Sequence, residues 1–190
     1  MADLAADVLQ HAPQRFALAG SSMGGIVAME IMAQAPERVE RLALLDTNPR
    51  AELPEIRARR GPQISKVQQG QLRSVMRDEM KPNYLVEGPG KQAVMDLCMQ
   101  MAMDLGPDVF IRQSIALRDR PDRQDVSRKI EVPTLVLCGR EDRLCPVERH
   151  ELMLDLIPDA HLEIIDGAAH LPTLEKPNET TAALARWLEA

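Results

Sequence analysis

The sequence predicts an α/β protein with a parallel sheet of about four strands, helices on its faces and one all-helical insertion. Four short apolar runs alternate with helical patterns, which is typical of parallel strands joined by crossover helices. The segment 50–128 interrupts this alternation, because no strand pattern occurs in it. The 190 residues, 45% of them hydrophobic, suffice for one well-buried core and are too few for two ordinary domains.

The first part of the chain predicts helix, strand, helix and strand in that order. Residues 3–12 place apolar side chains on one helical face and stop before Pro13. Residues 16–19 form a short apolar strand, and residues 26–35 form a helix that is apolar nearly all round, as expected beneath a cap. Residues 41–45 form a second strand. This order is that of a βαβ unit with two parallel strands.

The segment 50–128 is predicted to be a helical cap inserted into an α/β core formed by residues 1–49 and 129–190. Helical periodicity and charge replace the strand pattern, with breaks expected at Pro62 and at Gly106. Further breaks are expected at Pro82 and in the Gly88-Pro89-Gly90 turn.

Two groups of side chains in this segment invite a functional interpretation. The methionines favour either an adaptable surface for an apolar ligand or the cap's own small core, which accounts for most of them; they are Met76, Met80, Met95, Met99, Met101 and Met103. The arginines Arg57, Arg59 and Arg60 favour either an acidic partner or, more commonly, a solvated helix face.

The strand pattern returns after the insertion. Residues 133–138 and 162–165 are predicted strands, separated by a helix at 147–157 and followed by an amphipathic helix at 179–188. In a parallel sheet of this kind, functional groups lie beyond the carboxyl ends of the strands.

The sequence GSSMGG, residues 20–25, occupies the corner between the first strand and the following helix. A nucleophilic serine at such a corner has a strained backbone, and the residues two positions before and after it must be almost free of side chain. Gly20 and Gly24 flank Ser22 at those positions. The corner also leaves the Met23 N–H at the helix N-terminus, where it can stabilise a negative oxygen. A plain serine-capped glycine turn is the alternative interpretation.

A serine hydroxyl is a weak nucleophile at neutral pH unless an imidazole takes its proton and a carboxylate orients that imidazole. His170 and Asp142 each follow a predicted strand end, as Ser22 does. The order Ser22, Asp142, His170 is one of the known orders of a serine triad. The other histidines lie in helices or at the opposite strand end, with His150 assigned to a surface helix; they are His11, His150 and His161.

Two other carboxylates compete with Asp142 for the role of the acid. Asp46 also follows a strand end and is the main alternative, whereas Asp166 is close to His170 in sequence but is better suited to cap the local turn. Cys145 is predicted to be a packing residue, since no cysteine-type elbow surrounds it.

The segments GSSMGG, GREDRLCP and GAAHLPTLEKP resemble the elbow, the acid loop and the histidine loop of the α/β-hydrolase family. The resemblance covers nearly the whole chain and is strongest to the lidded branch, which contains carboxylesterases, enol-lactonases, pimeloyl-carrier-protein methyl-ester esterases and carbon–carbon bond hydrolases. It implies Ser22 as nucleophile, Asp142 as orienting acid, His170 as general base and acid, and the Met23 amide as an oxyanion donor. No cofactor and no metal are implied.

The chain departs from the family pattern at its beginning. Family members have several strands before the elbow, and a loop among them supplies a second oxyanion N–H. We therefore expect an N-terminally truncated sheet whose first strand, 16–19, is an exposed apolar edge. Such an edge predicts aggregation or pairing with a second copy of the chain.

Composition excludes several other classes of function. The net charge of −6 argues against a nucleic-acid partner and against attachment to anionic lipid. No apolar run is long enough for a membrane span and no targeting segment is recognised. The three cysteines have no metal-type spacing, and their odd number suits a reducing compartment. We therefore expect a cytoplasmic protein.

The sequence thus predicts a serine hydrolase that cleaves a small or medium carboxylic ester or lactone through an acyl-enzyme on Ser22. Two alternatives remain open. One is a carbon–carbon bond hydrolase that uses the same triad, and the other is a truncated hydrolase domain that binds a ligand or partner without catalysis.

Overall fold

The computed structural model describes residues 1–189 and contains a four-stranded parallel sheet with strand order β1-β2-β3-β4. The strands are β1 (Phe16–Ser21), β2 (Val39–Leu45), β3 (Thr134–Gly139) and β4 (Ala160–Ile165). The predicted parallel sheet is confirmed. Because the strand order equals the sequence order and every pair is parallel, all four carboxyl ends lie at one edge.

The helices alternate with these strands. They are α1 (Ala2–His11), α2 (Met23–Gln34), α3 (Pro54–Gln68), α4 (Leu72–Val75), α5 (Lys91–Arg118), α6 (Gln124–Ser127), α7 (Val147–Leu156), α8 (Pro172–Glu175) and α9 (Pro177–Glu189). Short 3₁₀ turns occupy Pro36–Arg38 and Lys81–Asn83, and one π-helical turn occupies Met76–Met80. No helix among the described residues is long and apolar enough to cross a membrane.

The two faces of the sheet bury different clusters, because alternate residues of a strand point to opposite faces. On one face, Leu42 and Leu44 of β2 pack in the cluster that α2 and α7 cover. On the other face, Ala43 and Leu45 of β2 pack with Trp187 of α9. Helices α1, α2 and α7 therefore cover one face and α9 covers the other.

Helices α3, α4 and α5 pack on one another around a separate small apolar cluster, which contains Val67, Leu72, Val75 and Met76. The expected break at Pro62 is wrong, since α3 continues through it. The expected break at Gly106 is a kink within α5, where Gly106 has φ 78° and precedes Pro107.

The end of the predicted cap segment packs with the core layers. Helix α6 contacts α2 and α7, and Arg123, just before α6, pairs with the buried Glu30 of α2 at 2.6 Å. The boundaries of the core and the cap stay a prediction.

Candidate active site

Ser22 lies at a strained corner between β1 and α2. Its φ of 51° and ψ of −115° place it in a region that residues with a side chain rarely adopt. Ser22 N–H donates to the Leu45 carbonyl at 2.9 Å, and the Thr47 hydroxyl donates to the Ser22 carbonyl at 2.8 Å. The end of β2 and the loop after it therefore help to hold the backbone of the serine at this corner.

Two positions of the corner must be glycine because other atoms pack closely against them. They are Gly20, as expected, and Gly25, in place of the expected Gly24. A Cβ on Gly20 would lie 2.3 Å from the Gly24 carbonyl oxygen, so a side chain is excluded there. A Cβ on Gly24 would meet nothing within 4 Å, and the expected constraint at Gly24 is wrong. Gly25 is the second crowded position, because a Cβ there would lie 2.5 Å from the Thr47 side chain.

The structure brings Ser22, His170 and Asp142 into one hydrogen-bonded chain. The Ser22 Oγ lies 2.8 Å from His170 Nε2, and His170 Nδ1 lies 2.8 Å from Asp142 Oδ2. The other carboxylate oxygen of Asp142 accepts the amides of Leu144 at 2.8 Å and Cys145 at 3.0 Å. This pattern fits a proton on His170 Nδ1 and a free lone pair on Nε2 facing the hydroxyl.

Asp142 stays ionised although it is 4% exposed. Burial raises its pKa, but the hydrogen bond and charge of His170 and the amides of Cys145 and Leu144 outweigh burial and hold the pKa below its ordinary value. The loop after β3 thus keeps a negative charge against the imidazole.

Asp46, the main alternative for the acid, occupies a different position. Its Oδ1 accepts the Gly139 amide at 3.0 Å, whereas its buried Oδ2 has no partner among residues 1–189. Burial raises the pKa of Asp46 to about 9, and the charges of Asp142 and Glu175 act in the same direction. The Asp46 carboxyl is therefore protonated at neutral pH, and the hydrogen bond to His170 Nδ1 is made by Asp142.

The Met23 amide lies where the sequence predicted it, at the first turn of α2. Within the described part of the chain it donates to no backbone acceptor, whereas the amides of Gly25 and Ile26 donate to the Ser22 carbonyl. Helix α2 has twelve residues, so the partial positive charge of its N-terminus acts at this point. The Met23 N–H is free to donate to an oxygen atom next to Ser22.

His150 is not on the surface, and that expectation is wrong. The side chain is fully buried, with Nε2 accepting the Thr47 amide at 3.1 Å and Nδ1 facing the Pro146 carbonyl at 3.2 Å. Burial lowers the pKa of His150 to about 4, so the imidazole is neutral. The sequence spacing could have indicated this burial, because His150 lies three residues before the buried Met153 and seven before the buried Ile157, on the same helical face.

Glu175 is a further organising residue that the sequence did not indicate. Its Oε2 accepts the amides of Ala169 at 2.9 Å and Leu171 at 3.2 Å, on either side of His170. Its Oε1 accepts the Val86 amide at 2.8 Å. The carboxylate therefore connects the histidine loop to the segment between α4 and α5.

Tyr84 belongs to the same connection. Its carbonyl accepts the His170 amide at 2.9 Å, and the two rings lie 6.0 Å apart between centroids. No local sequence pattern links residue 84 to residue 170, because the contact depends on how the cap segment folds back over the sheet.

A cavity of about 520 Å³ opens at Ser22 and His170. Its lining combines side chains at the sheet edge with side chains of α3, α4 and α5, including Met76, Met80 and Met101. Most of the lining is apolar, which suits a ligand with a hydrocarbon part.

Asp142, Cys145 and His170 each bring one possible metal ligand within 4.8 Å of the others. A metal would need the carboxylate and Nδ1 that already bond to each other, and burial raises the pKa of the Cys145 thiol to about 12. A protonated thiol is a poor metal ligand. The arrangement suits proton transfer between Ser22 and His170 better than metal binding.

Comparison with known proteins identifies the family. The profile of the alpha/beta hydrolase family matches residues 1–184. A pimeloyl-[acyl-carrier protein] methyl ester esterase from Klebsiella pneumoniae is 29% identical over 189 residues, which cover 92% of this chain and 70% of the relative.

Solved structures give the same result. An esterase from Thermogutta terrifontis, with malate bound, is 30% identical with a TM-score of 0.89 over 98% of this chain and 70% of that one. A hydrolase from Pseudomonas aeruginosa PA01 is 27% identical with a TM-score of 0.85, over 99% of this chain and 70% of that one. An enol-lactonase from Burkholderia xenovorans LB400, at 20% identity and a TM-score of 0.86 over 99% of this chain and 71% of that one, is similar in fold.

Proposed function

The chain belongs to the alpha/beta hydrolase family, and we propose that it is a serine hydrolase that cleaves a small or medium carboxylic ester or lactone. The observation that carries this proposal is the chain of hydrogen bonds from Ser22 through His170 to Asp142, with 2.8 Å at both steps. It opens into a largely apolar cavity. The names of the relatives support an ester substrate, since two of them are described as esterases.

In the first half of the reaction, Ser22 Oγ attacks the ester carbonyl while His170 Nε2 takes the hydroxyl proton. The carbonyl oxygen becomes an oxyanion, which the Met23 N–H stabilises. When the carbon–oxygen bond to the leaving alcohol breaks, His170 returns the proton to the alcohol, and an acyl group remains on Ser22.

In the second half, water attacks the acyl carbonyl and His170 takes one proton of that water. The proton passes to Ser22 Oγ as the acyl–oxygen bond breaks, which releases the carboxylic acid and restores the serine. Asp142 acts as a positioning residue throughout, because it holds the imidazole tautomer and stabilises the imidazolium through Nδ1.

The test is the hydrolysis of p-nitrophenyl butyrate by the wild-type chain, Ser22→Ala and Ser21→Ala. Ser21 is a matched control, because it precedes Ser22 directly and ends β1 without a hydrogen bond to His170. We expect Ser22→Ala to lower kcat by about 10⁴-fold or more, while Ser21→Ala changes it by less than about threefold.

Labelling with a fluorophosphonate separates catalysis from ligand binding alone. We expect one adduct on the Ser22 peptide in the wild-type chain and in Ser21→Ala, and none in Ser22→Ala. Equal turnover by wild type and Ser22→Ala, or no turnover and no adduct in the wild type, would contradict the proposal.

A further inference from the structure

Three charged side chains form a compact cluster in the cavity wall, in which Arg60 and Arg120 lie on either side of Glu52. We call Arg60 and Arg120 the arginine pair. Arg60 Nη2 lies 2.5 Å from Glu52 Oε2, and Arg120 Nη1 lies 2.9 Å from Glu52 Oε1. Their side chains are 11%, 5% and 6% exposed for Arg60, Arg120 and Glu52. All three line the cavity that opens at Ser22.

The charges of this cluster do not balance. Two guanidinium groups share one carboxylate, and arginine stays protonated in proteins, so the cluster carries one excess positive charge. A nearly buried cation without a counter-charge is unfavourable unless an anion or water solvates it. One bound anion of single negative charge would therefore neutralise the cluster.

Hydrogen-bond donors also remain free. Arg60 bonds Glu52 through Nε and Nη2, and Arg120 bonds Glu52 and two carbonyls through Nη1 and Nε. Within residues 1–189, Arg60 Nη1 and Arg120 Nη2 donate to no acceptor. Neither nitrogen is fully buried, because the buried side-chain polar atoms without a hydrogen-bond partner in residues 1–189 are Asp46 Oδ2 and Trp187 Nε1. The two nitrogens therefore reach open space, and both residues line the cavity.

The arginine pair borders the reaction centre. The charge of Arg60 lowers the pKa of Tyr84 against the larger effect of burial, which raises it to about 12. Tyr84 in turn contacts His170 through its carbonyl and its ring. Arg120 lines the same cavity as Cys145, whose amide donates to Asp142.

The other charged groups of the lining increase the positive charge. Arg59, Arg143 and Arg149 form no ion pair within the described chain, whereas Glu79 is paired with Lys66 at 2.7 Å. The lining therefore contains five arginines and two glutamates, and each glutamate already has a cationic partner.

We propose that the substrate is an ester that also carries a free carboxylate, and that the arginine pair binds this carboxylate. This inference rests on the proposed function and names the chemical class of its substrate. A planar carboxylate matches the donor geometry of guanidinium nitrogens and supplies the missing negative charge. The apolar side chains of the cavity accommodate the hydrocarbon part between the carboxylate and the ester.

The first experiment compares charged and neutral esters of equal shape with the wild-type chain. Methyl hydrogen glutarate is compared with methyl 4-carbamoylbutanoate, and 4-acetoxybutanoate with 4-acetoxybutanamide, so that the carboxylate is on the acyl side in one pair and on the alcohol side in the other. We expect kcat/KM to favour the carboxylate at least about tenfold in one pair. A ratio of one or below in both pairs would overturn the inference.

The second experiment repeats these measurements on Arg60→Gln and Arg120→Gln. We expect KM for the charged ester to rise about 10- to 100-fold, because a charge-assisted hydrogen bond is lost, so that the preference in kcat/KM for the charged over the neutral ester falls at least about tenfold. Arg57→Gln is the matched control, since Arg57 lies on the same helix and pairs with Asp119 at the exposed surface. Equal losses for both esters would overturn the inference.

Glu52→Gln provides a second variant if the arginine variants fail to fold. It removes the carboxylate that the arginine pair shares and raises the charge of the cluster, so we expect KM for the charged ester to fall relative to KM for the neutral ester. An unchanged or reduced preference for the charged ester would count against the arginine pair.

Calorimetric titration of Ser22→Ala with glutarate distinguishes failure of this inference from failure of the proposed function. We expect glutarate to bind, glutaramide to bind at least about tenfold more weakly, and Arg60→Gln to remove the difference. Glutarate binding without turnover of any ester would retain the anion site and refute the hydrolase. Ester turnover with equal binding of glutarate and glutaramide would refute the anion site.

Discussion

The loop after β2 and the loop after β3 each begin close to a buried aspartate, yet the two carboxyl groups have opposite states. Asp142 accepts three hydrogen bonds, from His170, Leu144 and Cys145, and its pKa lies below the ordinary value. Asp46 accepts one, from Gly139, and its pKa rises to about 9. Both carboxyls are buried, so the hydrogen-bond donors and the neighbouring charges decide which one is charged: His170 favours the charge on Asp142, whereas Asp142 and Glu175 oppose a charge on Asp46.

An aspartate that follows a strand end is therefore not by position alone the carboxylate that pairs with the histidine. The charged carboxylate serves the imidazole, whereas the neutral one holds the end of the neighbouring strand through the Gly139 amide. Gly139 also lies against the histidine loop, since a Cβ there would come within 2.1 Å of the Ala169 carbonyl oxygen.

The largest difference between the two loops should appear in catalysis. We expect Asp142→Asn to lower kcat for p-nitrophenyl butyrate by about 10⁴-fold, because an amide does not stabilise the imidazolium and favours the wrong tautomer. Asp46→Asn should change kcat by less than about tenfold, since Asp46 does not bond the imidazole. Steady-state kinetics on both variants, with thermal unfolding as the folding control, checks this expectation.

The assignment of the two carboxyls would be reversed by the opposite result, in which Asp46→Asn loses most of kcat and Asp142→Asn keeps it. Equal losses would indicate that the two aspartates act as one coupled unit.

The next difference should appear in the pH dependence of stability. The folded pKa of Asp46, about 9, lies above its ordinary value of 3.8. Its contribution to stability is therefore full below about pH 4 and is lost as the pH rises toward 9, with a limiting slope of about 1.4 kcal/mol per pH unit. Asp46→Asn should remove this slope, and denaturant unfolding at pH 5 and pH 8 measures it.

Asparagine is a matched substitution at this position. It tolerates the positive φ of 47°, and its Oδ1 can still accept the Gly139 amide. The same loss of stability between pH 5 and pH 8 in wild type and Asp46→Asn would show that Asp46 is already ionised at neutral pH.

The smallest expected effect concerns Thr47, which joins the loop after β2 to the nucleophile. Thr47→Val removes the hydroxyl that donates to the Ser22 carbonyl at 2.8 Å and keeps the shape that packs against Gly25. We expect kcat to fall about tenfold, because the strained serine loses one hydrogen bond of roughly 1–2 kcal/mol. Thr47→Ser, which keeps the hydroxyl, should retain most of kcat.

Two readouts distinguish positioning from stability alone in this case. The rate of Ser22 labelling by the fluorophosphonate should fall in Thr47→Val in proportion to kcat, while KM stays nearly constant. An unchanged labelling rate together with a lower unfolding midpoint would indicate a purely structural role.

Much of the fold followed from local patterns. Apolar runs such as residues 41–45 and the GSSMGG corner each depend on residues close together in sequence, and the four-stranded parallel sheet is confirmed. The proposed roles of Ser22, Asp142 and His170 came from strand-end placement, and the structure places these three side chains in hydrogen-bond contact.

The missed features depend on contacts between distant segments. Gly25 is crowded only because Thr47 of the next loop packs on it. His150 is buried because α7 turns that face toward the Thr47 amide. The segment between α4 and α5 reaches the histidine loop only through the fold, where the Tyr84 carbonyl accepts the His170 amide and the Val86 amide donates to Glu175.

The sequence alone therefore determined the order of strands and helices, the glycine corner at Ser22 and the three side chains of the proposed triad. These depend on periodicity and on steric rules that act within a few residues. The tertiary structure decided which aspartate is charged and where the arginine pair lies. Those properties depend on desolvation and on hydrogen-bond donors that folding brings from elsewhere in the chain, and no local pattern encodes them.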